Sequence, residues 1–119
     1  MINNIQKGKK GEEIAAQYLI ESGYRIIERN WHYSKNAEID IIAQDNETIV
    51  FVEVKTRISL GYGHPFEAIN ANKIKKVHTA ILGYLNSSKK KYKSFRFDGI
   101  AVIGLNNPKI EHLKDLGQY

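Results

Sequence analysis

A chain of 119 residues with 42% hydrophobic and 26% charged residues can bury the core of one domain over residues 1–119, and its composition excludes a mainly disordered polymer. The absence of cysteine excludes a disulfide scaffold, a thiolate zinc site and a cysteine nucleophile, and fits a reducing, cytoplasmic setting. The aliphatic runs are too short to span a bilayer, as at Ile49-Val50-Phe51-Val52, and the Met-Ile-Asn-Asn start does not read as a signal peptide. The net charge of +5 is uneven: residues 1–60 carry eight Lys/Arg against nine Asp/Glu, whereas residues 61–119 carry ten against four. A basic second half suits a polyanionic partner such as nucleic acid; plain solubility is the alternative.

In chain order, the first predicted element is a helix over residues 8–22. Ile14, Ala15, Tyr18 and Leu19 share one face, Glu12 and Glu13 fall near the first turn where the helix dipole favours acids, and Gly23 stops it. A strand over 24–31 follows, then a polar break at Ser34-Lys35-Asn36. Strands over 37–43 and 48–56 flank the turn Gln44-Asp45-Asn46-Glu47 and read as a hairpin. After a glycine-bearing loop around Gly61-Tyr62-Gly63, Pro65 is placed to open a second helix, with Phe66, Ile69, Ile74, Val77, Ile81 and Leu85 on its apolar face. A lysine-rich loop (residues 89–93), a strand over 95–103 and a short edge strand over 110–113 complete the chain. The expected fold is α/β: a mixed, mostly antiparallel sheet with helix–three strands–helix–strand order and flanking helices.

The hairpin carries the chemistry. If Asn46 and Glu47 are the turn residues, Asp40 stands opposite Glu53, and Glu38 opposite Lys55. Two carboxylates side by side among aliphatic residues repel and lose hydration, so something must offset them. A hard divalent cation, Mg²⁺ or Mn²⁺, would do so, and such an ion activates water and stabilises charge on a phosphoryl group. Lys55 would position that water or neutralise the transition state. The structural alternative is an ordinary Glu38–Lys55 cross-strand pair, with Asp40 and Glu53 facing solvent.

Asp40, twelve intervening residues and Glu53-Val54-Lys55 resemble the PD-(D/E)xK nuclease pattern, with Ile39 where the name has proline. More of the chain resembles the YraN family: Gly8-x-x-Gly11-Glu12-x-x-Ala15-x-x-Tyr18-Leu19, Gly23-Tyr24, Asn30-Trp31, Glu38-Ile39-Asp40-Ile41-Ile42-Ala43, Phe51-Val52-Glu53-Val54-Lys55-Thr56-Arg57 and Arg96-Phe97-Asp98. The resemblance implies a restriction-endonuclease-like core, similar to archaeal Holliday-junction resolvases. It implies that Asp40 and Glu53 bind the metal, that Lys55 assists attack, and that Glu12, four residues after Gly8, joins the metal site. A simple helix acid is the alternative for Glu12. Two residues depart from the family pattern: Ala37, where glycine is usual, and Gly99, which is expected to loosen the fourth strand.

Further candidates lie around this set. Arg57, in line with Glu53 and Lys55, would hold a phosphate; a surface arginine at a strand end is the alternative. Lys73, with Lys75 and Lys76 beside it, would touch substrate from the second helix; a solvated helix face is the alternative. Lys89 and Lys91, in a loop with Tyr92, would meet backbone phosphate or leave a base for the tyrosine to stack on; a plain surface loop is the alternative. No two histidines have a helical metal spacing. Gly61-Tyr62-Gly63 is not a phosphate-binding fingerprint but a flexible rim. Asp98 either caps the sheet end or pairs with a basic neighbour, and Trp31 and Phe66 read as core. The expected activity is metal-dependent hydrolysis of phosphodiester bonds in DNA, branched or structured DNA included; a non-cleaving nucleic-acid-binding module is the alternative. Symmetric cutting of two strands would call for a homodimer.

Overall fold

A computed structural model describes residues 3–35, 37–59, 61 and 63–116. Helix α1 (Asn4–Glu21) begins four residues before its predicted start. Asn3 explains this: its side-chain oxygen accepts from the Gln6 N–H at 2.8 Å, and the Gln6 side chain accepts from the Asn3 N–H at 3.1 Å. Glu12 and Glu13 therefore lie mid-helix, and the dipole argument for them fails. The far end is as expected, with Gly23 at φ +94° just past the cap.

Strands β1 (Arg25–Ser34), β2 (Ala37–Asp45) and β3 (Thr48–Arg57) form an antiparallel meander. Asn46 and Glu47 are the turn, with Asn46 left-handed at φ +55°. Pro65 opens a short 3-10 turn (Pro65–Ala68), not the second helix. Helix α2 (Ala71–Ser87) starts afresh because Asn70 accepts from the Lys73 N–H at 3.0 Å, so Phe66 and Ile69 lie outside it. Strand β4 (Ser94–Ile103) runs parallel to β3, and the short β5 (Lys109–Leu113) closes the sheet, whose order is β1-β2-β3-β4-β5. Asn36, Leu60 and Tyr62, parts of the expected polar break and glycine rim, lie outside the described residues.

The two helices cover opposite faces. Ala15, Ala16 and Leu19 of α1 pack on Ile41, Ala43, Val50, Val52, Val54, Ile100 and Val102. Val77, Ala80 and Ile81 of α2 pack on Ala37, Ile39, Ile42, Ile49, Phe51 and Phe97. Trp31 flanks this second core, half-buried and edge-on to Tyr84 of α2, and Phe66 is also only half-buried. Gly99 does not loosen β4. It is buried, and a Cβ there would stand 2.6 Å from Leu116 and 3.0 Å from Phe66, so the glycine lets both pack onto the strand. Gly11 works likewise against β3: a Cβ would collide with Thr56 Oγ1, so the missing side chain sets how closely α1 approaches the strand that carries Glu53.

Candidate active site

In a regular strand, residues two apart face the same way. β2 breaks this rule: Ala37 and Ile39 point into the α2 core, whereas Ile41 and Ala43 point into the α1 core. The slip falls at Asp40. In β1 the register runs unbroken past this point, its shifts lying at Ile26/Glu28 and His32/Ser34, but Asn30 is left-handed at φ +53° between Arg29, opposite Ile41, and Trp31, opposite Ile39. Asparagine tolerates that conformation better than other non-glycine residues. Arg29 is thereby turned toward α1 and Trp31 toward α2.

The predicted hairpin register holds from Asp45↔Thr48 to Ile41↔Val52 and then stops. Asp40 therefore does not pair directly with Glu53. Its Oδ2 instead accepts from the Val54 N–H at 2.8 Å, filling the seam where a main-chain carbonyl of β2 would otherwise stand. The expected Glu38–Lys55 pair is also absent. Glu38 sits opposite His32, its Oε2 3.9 Å from Nδ1, because strand pairing aligns it with β1.

Glu53 is 4% exposed. Its Oε1 receives two ammonium groups, Lys55 at 3.3 Å from its own strand and Lys73 at 3.4 Å from the first turn of α2. Burying a carboxylate is costly unless it is paired, and the two lysines supply that pairing. Asp40 is less well served. Burial raises its pKa well above the ordinary aspartate range, Glu53, Glu12 and Glu38 raise it further, and the Val54 N–H pulls the other way. Glu12 is half-buried on α1, 3.9 Å from Arg29 and hydrogen-bonded by Asn30. Its pKa is also raised, by burial first and then by Glu38 and Glu53 against the lowering effect of Arg29 and Asn30. Glu12 of α1, Glu38 of β2 and Glu53 of β3 thus all bear on Asp40 electrostatically.

This donor set suits a hard divalent ion. Mg²⁺ is commonly held by one or two carboxylates, with water and substrate phosphate completing its shell. Asp40 and Glu53 could serve as those ligands. Among the described residues no three carboxylate or imidazole groups form a ready-made cluster.

The remaining candidates lie further out. Arg57 turns its guanidinium back onto the Thr56 carbonyl at 3.1 Å. Lys76 is exposed on α2, one turn beyond Lys73. Lys89 and Lys91 are exposed in the loop before β4. Ser94 pairs with Thr48 while Gly99 pairs with Glu53, so that loop lies at the opposite end of β3, about 17 Å of strand from Glu53. The structure thus unites Glu12, Glu38, Asp40, Glu53, Lys55 and Lys73 and leaves the loop lysines apart. Sequence reasoning missed Arg29 and Asn30 as partners of Glu12; the one available signal was an asparagine inside a strand.

Asp98 belongs to a separate, buried network. Arg96 donates to it twice (2.8 and 3.0 Å), His112 Nε2 lies 2.7 Å away, and the Asp115 N–H donates at 3.0 Å. Tyr24 and Tyr18 extend the network through Arg96 and His112. Burial alone would raise the Asp98 pKa, but the bonds from His112, Arg96 and Asp115 outweigh it and lower the value. Its basic partner is Arg96 itself.

Residues 11–102 match the model of a family described as "Uncharacterised protein family UPF0102". A UPF0102 protein of Persephonella marina is 48% identical over 109 residues, covering 92% of this chain and 90% of its own. One of Chlorobaculum tepidum is 46% identical over 114 residues (90% and 88%), and one of Arthrobacter sp. is 43% identical over 112 (92% and 94%). Among the described residues no helix is long and apolar enough to cross a membrane.

Proposed function

The chain belongs to the UPF0102 family, the family whose YraN-type motifs it carries, and from its site geometry we propose that it is a metal-dependent nuclease hydrolysing phosphodiester bonds of DNA. The observation behind this is the meeting of Asp40, a buried carboxyl that Glu53, Glu12 and Glu38 all repel, with Glu53, a buried carboxylate held by two lysines. An arrangement that costs stability at a break in the sheet is what a site prepared for a cation and a phosphate requires.

In this reading Asp40 and Glu53 would hold Mg²⁺ or Mn²⁺, and Glu12, whose charge acts on Asp40, would support the metal site. The bound ion supplies Lewis acidity toward the phosphoryl oxygen and lowers the pKa of water. Lys55 orients the attacking water or meets the charge that builds on the phosphorus oxygens. Lys73 shares Glu53 with Lys55, so either ammonium can turn to substrate while the other keeps the carboxylate paired. Glu38 adds negative potential and raises the proton affinity of Asp40. The superfamily likeness to PD-(D/E)xK enzymes supports the same roles.

A non-cleaving nucleic-acid-binding module is the second reading, favoured by the absence of a ready three-ligand cluster among the described residues. One assay separates the two. Labelled single-stranded, duplex, flap and four-way-junction DNA is incubated with Mg²⁺, Mn²⁺ or chelator and wild-type or Asp40→Asn protein. Metal-dependent products with wild type alone are the expected result. Salt-sensitive binding without cleavage of any substrate overturns the nuclease in favour of the module.

A further inference from the structure

Gly8 is the fifth residue of α1, a place where glycine costs helix stability relative to alanine. Packing among the described residues does not require it: a Cβ at Gly8 would meet none of their atoms within 4 Å. Gly11, by contrast, is pinned against Thr56. Gly8 instead lies on a surface cleft of about 540 Å³ between α1 and β1, lined among others by Asn4, Lys9, Glu12, Arg29 and Asn30. Glu12, which acts on Asp40, is among the lining residues, so the cleft borders the acidic site. The left-handed Asn30 is what turns Arg29 to this side.

We infer that this cleft is the track for the nucleic-acid strand flanking the scissile phosphodiester, with Gly8 as its floor and Arg29 and Lys9 as its phosphate contacts. The inference rests on the nuclease reading for which end of the track is the cutting end. A residue without a side chain lets a ligand approach the helix backbone closely. Arg29, partly exposed and only loosely held by Glu12 at 3.9 Å, keeps donors free for a phosphate oxygen. Asn4 to Glu12 spans about 12 Å of helix, room for roughly three nucleotides of one strand at duplex spacing. Glu13 lies on the exposed rim and opposes the phosphate charge, while Glu12 is at the metal end.

The test uses Gly8→Ala, Gly8→Leu and Lys9→Glu in the full chain. The readouts are thermal midpoint, and anisotropy binding in chelator of labelled 20-nucleotide single-stranded and duplex DNA, a flap and a four-way junction. Gly8→Ala should raise the midpoint by about 3 °C, since alanine is the better helix former, yet weaken binding. Gly8→Leu should weaken binding at least tenfold while melting no lower than wild type. Lys9→Glu should weaken binding and flatten its salt dependence. A Gly8→Leu protein that melts like wild type and binds every DNA equally well overturns the track and leaves the nuclease untouched. Wild-type binding that depends on Gly8, with no cleavage in metal, supports the track and overturns the nuclease. Failure of wild type to bind any of the four DNAs in chelator overturns the track, while cleavage in metal decides the nuclease separately.

Discussion

Replacing Asp40 should have opposite effects on stability depending on the replacement. Asparagine keeps an oxygen that can accept from the Val54 N–H, now bonded at 2.8 Å, but removes the charge that Glu53, Glu12 and Glu38 repel. Alanine removes both. Freed of its repelled charge, Asp40→Asn should gain about 1 kcal/mol at neutral pH, the scale of other relieved functional-site strain. Asp40→Ala leaves the N–H of buried Val54 without its acceptor, a loss of about 1–3 kcal/mol, and should fall below wild type. The pH dependence fixes the cause. A carboxyl whose folded pKa is raised contributes stability that is complete below its unfolded pKa, near 4, and is lost as pH rises through the folded value. The asparagine gain should therefore be near zero at pH 4 and grow toward neutrality. Urea unfolding in chelator, at half-unit steps from pH 4 to pH 8, reads this directly, and both variants should lose metal-dependent cleavage. Asparagine destabilising as much as alanine, or a gain unchanged with pH, would refute the electrostatic account of the site.

Three further outcomes follow from the same geometry. Lys55→Met should lower cleavage about 10²- to 10³-fold, the usual effect of removing one transition-state donor. Lys73→Met should cost less, because Glu53 keeps Lys55; single-turnover rates compare them. Gly11→Ala should cost about 1–3 kcal/mol by overpacking against Thr56, and adding Thr56→Ala should recover part of the loss in a double-mutant cycle. Asp98→Asn should cost about 3–5 kcal/mol at neutral pH because it strands Arg96 and His112 in the interior. The lowered pKa of Asp98 gives wild type a stability that is present above the unfolded carboxylate value and is lost as pH falls through the folded one. The gap between wild type and Asp98→Asn should therefore close on acidification, as guanidinium unfolding from pH 7 to pH 2 would record.

The sequence is most legible where local chemistry decides. Asn46 and the β-branched run after it set the hairpin turn, and Gly23 sets the helix end. The crossover to β4 follows from a strand–helix–strand order. Legibility fails where a side chain takes the place of backbone. Asn3 and Asn70 cap the helices at positions that apolar periodicity does not mark, which moves Glu12 to mid-helix and leaves Phe66 outside α2. Asp40 accepts a main-chain bond, and that ends a register that simple pairing would carry on to Glu53. The acidic pair could be found from spacing. The local environments of Asp40 and Glu53 could not, because Lys73 arrives from twenty residues further along the chain and Arg29 is aimed by a left-handed asparagine. The Arg96–Asp98 pair was open to view, since residues two apart on a strand share a face, whereas His112 comes from the edge strand.

The face switch at Asn30 and Asp40 also gives the site its own optical signal. Trp31, the only tryptophan, follows Asn30, stands opposite Ile39, stacks on Tyr33 at 6.1 Å and meets Tyr84 edge-on at 5.4 Å. A ligand that draws the Asp40 carboxylate off Val54 pulls on the adjoining peptide of Ile39, and hence on the indole paired across from it. Intrinsic fluorescence should then follow cation titration without any label, and its loss in Asp40→Asn would tie the signal to that one carboxylate.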